Sequence, residues 1–68
     1  MKISARNVLK GTVVEIVKGA TTAHVRLEVN GAIVTASITN EAVDELGLVN
    51  GMAAYAVIKA SDVMVATE

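Results

Sequence analysis

The chain has 68 residues, a formal net charge of -1 at pH 7, and a composition that is 53% hydrophobic but only 1% aromatic. So short a chain predicts one small domain, residues 1–68, with little apolar surface to bury on its own. It contains no Cys, which excludes the disulfides and Cys-based metal sites that hold many small proteins together. We therefore expect oligomerisation to supply the missing stability.

The composition also limits which binding partners and which cellular compartment the sequence predicts. The sequence has neither a long uninterrupted apolar run nor a basic-then-apolar leader, which predicts a cytoplasmic protein with no membrane partner. Single-stranded nucleic acid is bound by basic grooves with aromatic stacking platforms. This chain is slightly acidic, and its one aromatic residue, Tyr55, is expected at a sheet edge or an interface. We therefore expect no nucleic-acid partner.

The first predicted strand covers residues 8–17 and is apolar on both faces. One face would carry Val8, Val14 and Ile16, and the other Leu9, Val13 and Val17. One small core cannot cover both faces, so the second is expected to pack on another subunit. Gly11 is expected to mark a bulge or a sharp bend, and residues 18–21 a turn.

A hairpin follows, with strands at residues 23–29 and 32–38. In the first of these strands apolar residues alternate with His24, Arg26 and Glu28, which is typical of a strand with one buried face. The dipeptide Asn30-Gly31 favours a tight turn, because both residues tolerate positive φ.

A short helix is predicted next, with Asn40 as its cap and Gly47 at its end. Its acidic residues, Glu41, Asp44 and Glu45, complement the helix dipole and are not interpreted as a catalytic pair. Val43 and Leu46 are expected to face inward.

Two further strands, residues 53–59 and 62–66, are joined by Ala60-Ser61. Met52 and Met64 are expected to fill the core. The order of elements predicts an all-β fold with one short helix, a small five-stranded OB-like Greek-key barrel, and an SH3-like barrel is the alternative. Neither fold by itself assigns a function.

Two polar segments enclose the predicted strands, and we call them the end segments. The first is Ser4-Ala5-Arg6-Asn7 and the second is Lys59-Ala60-Ser61-Asp62. Their hydroxyls, cations and small-residue backbone offer many hydrogen-bond donors, which favours capture of an anion. A lone His24 without partner ligands is expected to be a surface or interface residue.

The chain resembles molbindin, the stand-alone form of the Mop/TOBE-type molybdate-binding domain. The resemblance rests on residues 4–11, on Glu45-Leu46-Gly47-Leu48, and on residues 59–64, and it spans essentially the whole chain. It implies a cytoplasmic homohexamer, built as a trimer of dimers, that binds and stores molybdate or tungstate between subunits without an organic cofactor.

The resemblance also implies which residues bind the oxyanion. The main site maps onto Ser4, Ala5, Arg6, Thr39, Lys59, Ala60 and Ser61. A second site near the three-fold axis maps onto Gly19, Ala20, Thr21 and Thr22. No residue is implied as a direct ligand of a metal cation.

The chemistry of these residues agrees with the resemblance. Molybdate, tungstate and sulfate are dianions that only accept hydrogen bonds, whereas phosphate keeps a proton that needs an acceptor. Asp62, the nearby carboxylate, is expected to face away or to hold Lys59 or Arg6. The alternatives are an OB-fold nucleic-acid-binding protein and a purely structural oligomerisation module. An enzyme is not expected, because no activated nucleophile or base is present.

Overall fold

A computed structural model describes all 68 residues, Met1–Glu68. Its elements are β1 (Asn7–Lys18), β2 (Thr22–Val29), β3 (Ala32–Thr39), the helix α1 (Asn40–Leu46), β4 (Ala53–Ile58), and a 3-10 turn at Ala60–Asp62. The strands form one antiparallel sheet in the order β3-β2-β1-β4. The fold is therefore mostly β with one short helix, as predicted, but the sheet has four strands and is open.

The hairpin of β2 and β3 confirms the sequence prediction. Asn30 and Gly31 both have positive φ, 48° and 87°, and the two strands pair directly from Val29 and Ala32 onward. Such a turn matches the right-handed twist of the strands that it joins. The N–H of Gly31 also donates to Glu28 Oε1 at 2.6 Å, which holds the turn closed.

The long strand β1 contains a bulge at Val14. Val13 pairs with Leu27 and Glu15 pairs with Arg26, so Val14 is an extra residue. One inserted residue reverses which side chains face inward. Val13 is therefore fully buried and Ile16 packs against the same core, whereas Val14 is exposed. The predicted division of β1 into two faces was wrong for this reason.

Gly11 marks a close approach of two strands, and not the bulge that was predicted there. A Cβ atom at this position would lie 2.5 Å from the carbonyl oxygen of Glu28 and 2.8 Å from the side chain of Val29. Glycine alone leaves room for the backbone of β2 at this point of β1.

The helix α1 is capped one residue earlier than predicted. Thr39 is the cap, because its Oγ1 accepts a hydrogen bond from the N–H of Ala42 at 3.0 Å. Gly47 ends the helix in the left-handed conformation, as predicted, and its N–H donates to the carbonyl of Asp44. Val43 is buried, but Leu46 is 64% exposed, so the prediction that Leu46 faces inward was wrong.

The predicted fifth strand, residues 62–66, does not form. The 3-10 turn includes Asp62, and the residues after it pair with no strand. Met64 and Val65 are 93% and 94% exposed, so Met64 is not core filler, whereas Met52 packs against the core as expected. A β-prone segment becomes a strand only where a sheet edge receives it, and this segment meets none within the chain.

The core is small for the apolar content of the sequence. Only seven of the 68 residues are buried, and none of them is polar or charged. An open apolar cavity of about 760 Å³ is lined by 16 residues, 15 of which are hydrophobic. The structure contains no helix with the length and hydropathy that a membrane-spanning helix needs.

Candidate functional site

The pairing of β1 with β4 brings the two end segments together. Asn7, the first residue of β1, lies opposite Ile58, the last residue of β4, and its side-chain amide donates to the carbonyl of Ile58 at 3.2 Å. Arg6 immediately precedes this pair and Lys59 immediately follows it. The structure thus places the two segments side by side at one end of the sheet.

Unpaired backbone donors are concentrated at this end. The N–H groups of six residues donate to no acceptor in the chain: Ser4, Ala5, Arg6, Lys59, Ala60 and Ser61. The carbonyls of Lys59 and Ala60, by contrast, accept hydrogen bonds from Asp62 and Val63 in the 3-10 turn. The turn therefore engages acceptors and leaves donors available, which suits a ligand that accepts hydrogen bonds.

The charges at this end are also without partners. The chain has two ion pairs, Lys18 with Asp44 and Arg26 with Glu15, and neither involves the end segments. Asp62 is exposed and holds neither Arg6 nor Lys59, which leaves both cations free to meet an anion. Ser4 and Ser61 are exposed, with hydroxyls that make no hydrogen bond within the chain.

Thr39 lies at the opposite end of the sheet. It pairs with Thr22 at the start of β2, which is next to the last residues of β1. Thr39 and the end segments therefore lie at opposite ends of β1, which is 12 residues long. One chain does not bring Thr39 to Ser4 and Lys59.

The turn that contains Gly19, Ala20, Thr21 and Thr22 is near Thr39, and it too presents donors. Three of its carbonyls are engaged: that of Thr22 by the N–H of Gly19 at 2.7 Å, that of Thr21 by the backbone N–H of Asn40 at 2.9 Å, and that of Gly19 by the Asn40 side chain at 3.0 Å. The N–H groups of Ala20 and Thr21 have no acceptor. The first residue of α1 thus fixes a turn whose donors are free.

Sequence reasoning missed Asn40 as the residue that holds this turn. The contact joins positions 21 residues apart, and a local pattern only identifies Asn40 as a helix-capping type. Its Oδ1 atom is buried without a hydrogen-bond partner. His24 lies close by, at a cavity of about 210 Å³ that is also lined by Val17, Gly19 and Thr22. No group of three or more His, Cys, Asp or Glu residues is placed to hold a metal ion.

Comparison with known proteins identifies the family. The TOBE domain model matches residues 3–65. The chain belongs to the TOBE-domain family. A probable molybdenum-pterin-binding protein of Haemophilus influenzae is 48% identical to this chain over 69 residues, and the alignment covers 100% of both proteins. This TOBE domain therefore has relatives that consist of the same unit alone.

Solved structures agree with that assignment. A molybdate-binding protein from Sporomusa ovata has a TM-score of 0.94 and 42% identity, over 98% of this chain and 100% of that one. The cytoplasmic molybdate-binding protein ModG, solved with molybdate bound, has a TM-score of 0.89 and 51% identity, over 94% of this chain and 46% of that one. The resemblance seen in the sequence is thus confirmed at the level of the family.

Proposed function

We propose that this TOBE domain binds molybdate or tungstate through its end segments and stores it. The observation that carries the proposal is the meeting of six unpaired backbone N–H groups with two unpaired cations, Arg6 and Lys59, at one end of the sheet. A tetrahedral dianion needs such a set, since each of its oxygens only accepts hydrogen bonds. Relatives named for molybdenum or molybdate binding support the choice of anion.

The residues that we propose as ligands have different roles in binding the anion. Lys59 supplies formal charge, Ser4 and Ser61 supply hydroxyl donors, and Ala5 and Ala60 supply backbone N–H groups that have no acceptor within the chain. Arg6 adds its N–H, its guanidinium, or both. No catalytic group and no organic cofactor take part, so the proposed function is binding without chemistry.

The distance to Thr39 supports a site that is shared between subunits. A second copy of the chain, oriented in the opposite direction, would place its Thr39 beside the end segments of the first copy. The exposed apolar surface of the single chain, which includes Val8, Leu46 and Val65, supports an obligate oligomer. We propose the homohexamer that the resemblance implies, with the open sheet completed as an OB-like barrel within it, acting in the cytoplasm on residues 1–68 as one unit.

The turn at residues 19–22 is proposed as the second, separate anion site. Its unpaired N–H groups on Ala20 and Thr21 support this assignment, as do the hydroxyls of Thr21 and Thr22. Neither site offers the aromatic platform or the basic groove of a nucleic-acid-binding barrel, and a purely structural oligomer would not require unpaired donors.

Competition calorimetry tests the proposed ligand. Molybdate and tungstate should bind well, sulfate more weakly because its shorter bonds leave its oxygens out of reach of the donors, and phosphate hardly at all. Sulfate is the control for charge, since it has the same charge and shape at a smaller size. Phosphate binding as tight as molybdate binding would show that an acceptor lines the site, and would contradict the proposal.

A further inference from the structure

His24 is an exposed residue near the start of β2. In the strand register it lies between Val17 of β1 and Ser37 of β3, both uncharged. Two ion pairs lie on the surrounding elements, Lys18 of β1 with Asp44 of α1 and Arg26 of β2 with Glu15 of β1. The other charged residues of these elements make no ion pair: Lys10, Glu28, Glu41 and Glu45. Glu41 in the first turn of α1 is exposed, and neither it nor any other carboxylate pairs with His24.

The cavity beside His24 adjoins the turn with unpaired donors. His24, Thr22, Gly19 and Val17 line about 210 Å³, roughly the volume of seven waters in the liquid. The N–H groups of Ala20 and Thr21 belong to the same turn and have no acceptor. Asn40 holds the carbonyls of Gly19 and Thr21, so the turn beside the cavity is already fixed in position, and the polar side chains that line the cavity itself are those of Thr22 and His24.

The turn by itself offers only neutral donors, because the ammonium of Lys18 is paired with Asp44 at 2.7 Å. Imidazole is the one side chain that ordinarily gains a charge between about pH 8 and pH 5, and when charged it donates through both nitrogens. A protonated His24 would therefore be the unpaired cation at this cavity. A neutral His24 would leave a weaker site and place an acceptor nitrogen near the anion.

We propose that His24 makes the second anion site dependent on pH: a tetrahedral oxyanion binds beside the protonated imidazole and is released as the pH rises. This rests on the proposed second anion site at residues 19–22, and the end segments take no part in it. Binding at the end segments depends on Lys59 and Arg6 and not on an imidazole. The two sites then differ in their response to pH.

Proton NMR provides the first test, because His24 is the only histidine and its ring protons need no assignment. Its titration is followed from about pH 6 to about pH 8.5, with and without molybdate at matched ionic strength. Binding to the charged form should raise the midpoint by about one pH unit, which corresponds to tenfold tighter binding to that form. A midpoint that molybdate leaves unchanged would overturn the proposal.

Variants separate the two sites. Lys59→Ala should keep the molybdate-induced shift of His24, and Thr22→Val should reduce it, with Thr35→Val on the neighbouring strand as the matched control. In calorimetry, His24→Gln should remove the pH-dependent class of binding and leave the Lys59-dependent class intact. Loss of the shift in Lys59→Ala would show that His24 reports on the main site, and would overturn the proposal. Lys59→Ala binding like the parent, with the shift retained, would instead contradict only the proposed main site.

Discussion

Among single residues, those whose charged or polar groups have no partner within the chain are the proposed ligands of the anion. Lys59 is the clearest case, because its ammonium has no counter-ion and its own N–H has no acceptor. We predict that Lys59→Ala loses a charge-assisted hydrogen bond of about 1.5–3 kcal/mol, or one to two decades of molybdate affinity. Calorimetry measures the loss, and Lys10→Ala, which removes an exposed charge from β1, is the matched control. Equal losses in both variants would indicate a general charge effect.

Ser4 provides a neutral comparison at the same end of the sheet. Ser4→Ala removes one hydroxyl donor and leaves the backbone N–H groups in place, so its loss of affinity should be about 1 kcal/mol, roughly fivefold. The measurement is the same molybdate titration. A loss larger than that of Lys59→Ala would mean that the hydroxyl, and not the charge, dominates binding.

At the scale of elements, close packing of two strands depends on Gly11. Gly11→Ala places a methyl group 2.5 Å from the backbone oxygen of Glu28, which a side-chain movement cannot relieve. The free energy of unfolding should fall by about 1–3 kcal/mol. Chemical denaturation measures it, with Lys10→Ala as a control next to it in the strand. Unchanged stability would show that β1 and β2 are not so close in solution.

Thr39 is both the cap of α1, through its hydroxyl oxygen, and one of the proposed molybdate ligands. Thr39→Ala should destabilise the protein by about 1 kcal/mol, and Thr39→Ser should restore it, since either hydroxyl can accept from the N–H of Ala42. If Thr39 of one subunit also donates its hydroxyl proton to the anion of another, Thr39→Ser should bind molybdate like the parent. Denaturation and calorimetry on the same samples separate these two roles.

The sequence predicted those elements whose signals are local. Asn30-Gly31 and the alternation of apolar and polar residues on either side of it predicted the hairpin, and Gly47 predicted the end of α1. Each of these features depends on the conformational preference of one or two residues. The bulge at Val14 has no such signal, since valine is an ordinary strand residue. The end segments were predicted as one region, but the distance to Thr39 and the contact made by Asn40 depend on the pairing of whole strands.

At the scale of the whole molecule, exposed apolar surface is the dominant feature. The patterns at Leu46 and at residues 63–65 predicted burial, but a pattern does not state whether the covering surface belongs to the same chain. In this structure these residues are exposed. We therefore predict that sedimentation at micromolar concentration shows an oligomer, and a stable folded monomer would contradict both the assembly and the shared site.

Native mass spectrometry with and without molybdate tests whether an oligomer of this chain binds the oxyanion through Lys59, because it reports subunit number and bound anions in one spectrum. We predict a hexamer that gains the mass of several molybdate ions, and a Lys59→Ala hexamer of the same subunit number that gains fewer of them. A Lys59→Ala protein that keeps its subunit number and binds as many molybdate ions as the parent, with the same affinity, would show that the anion site lies elsewhere.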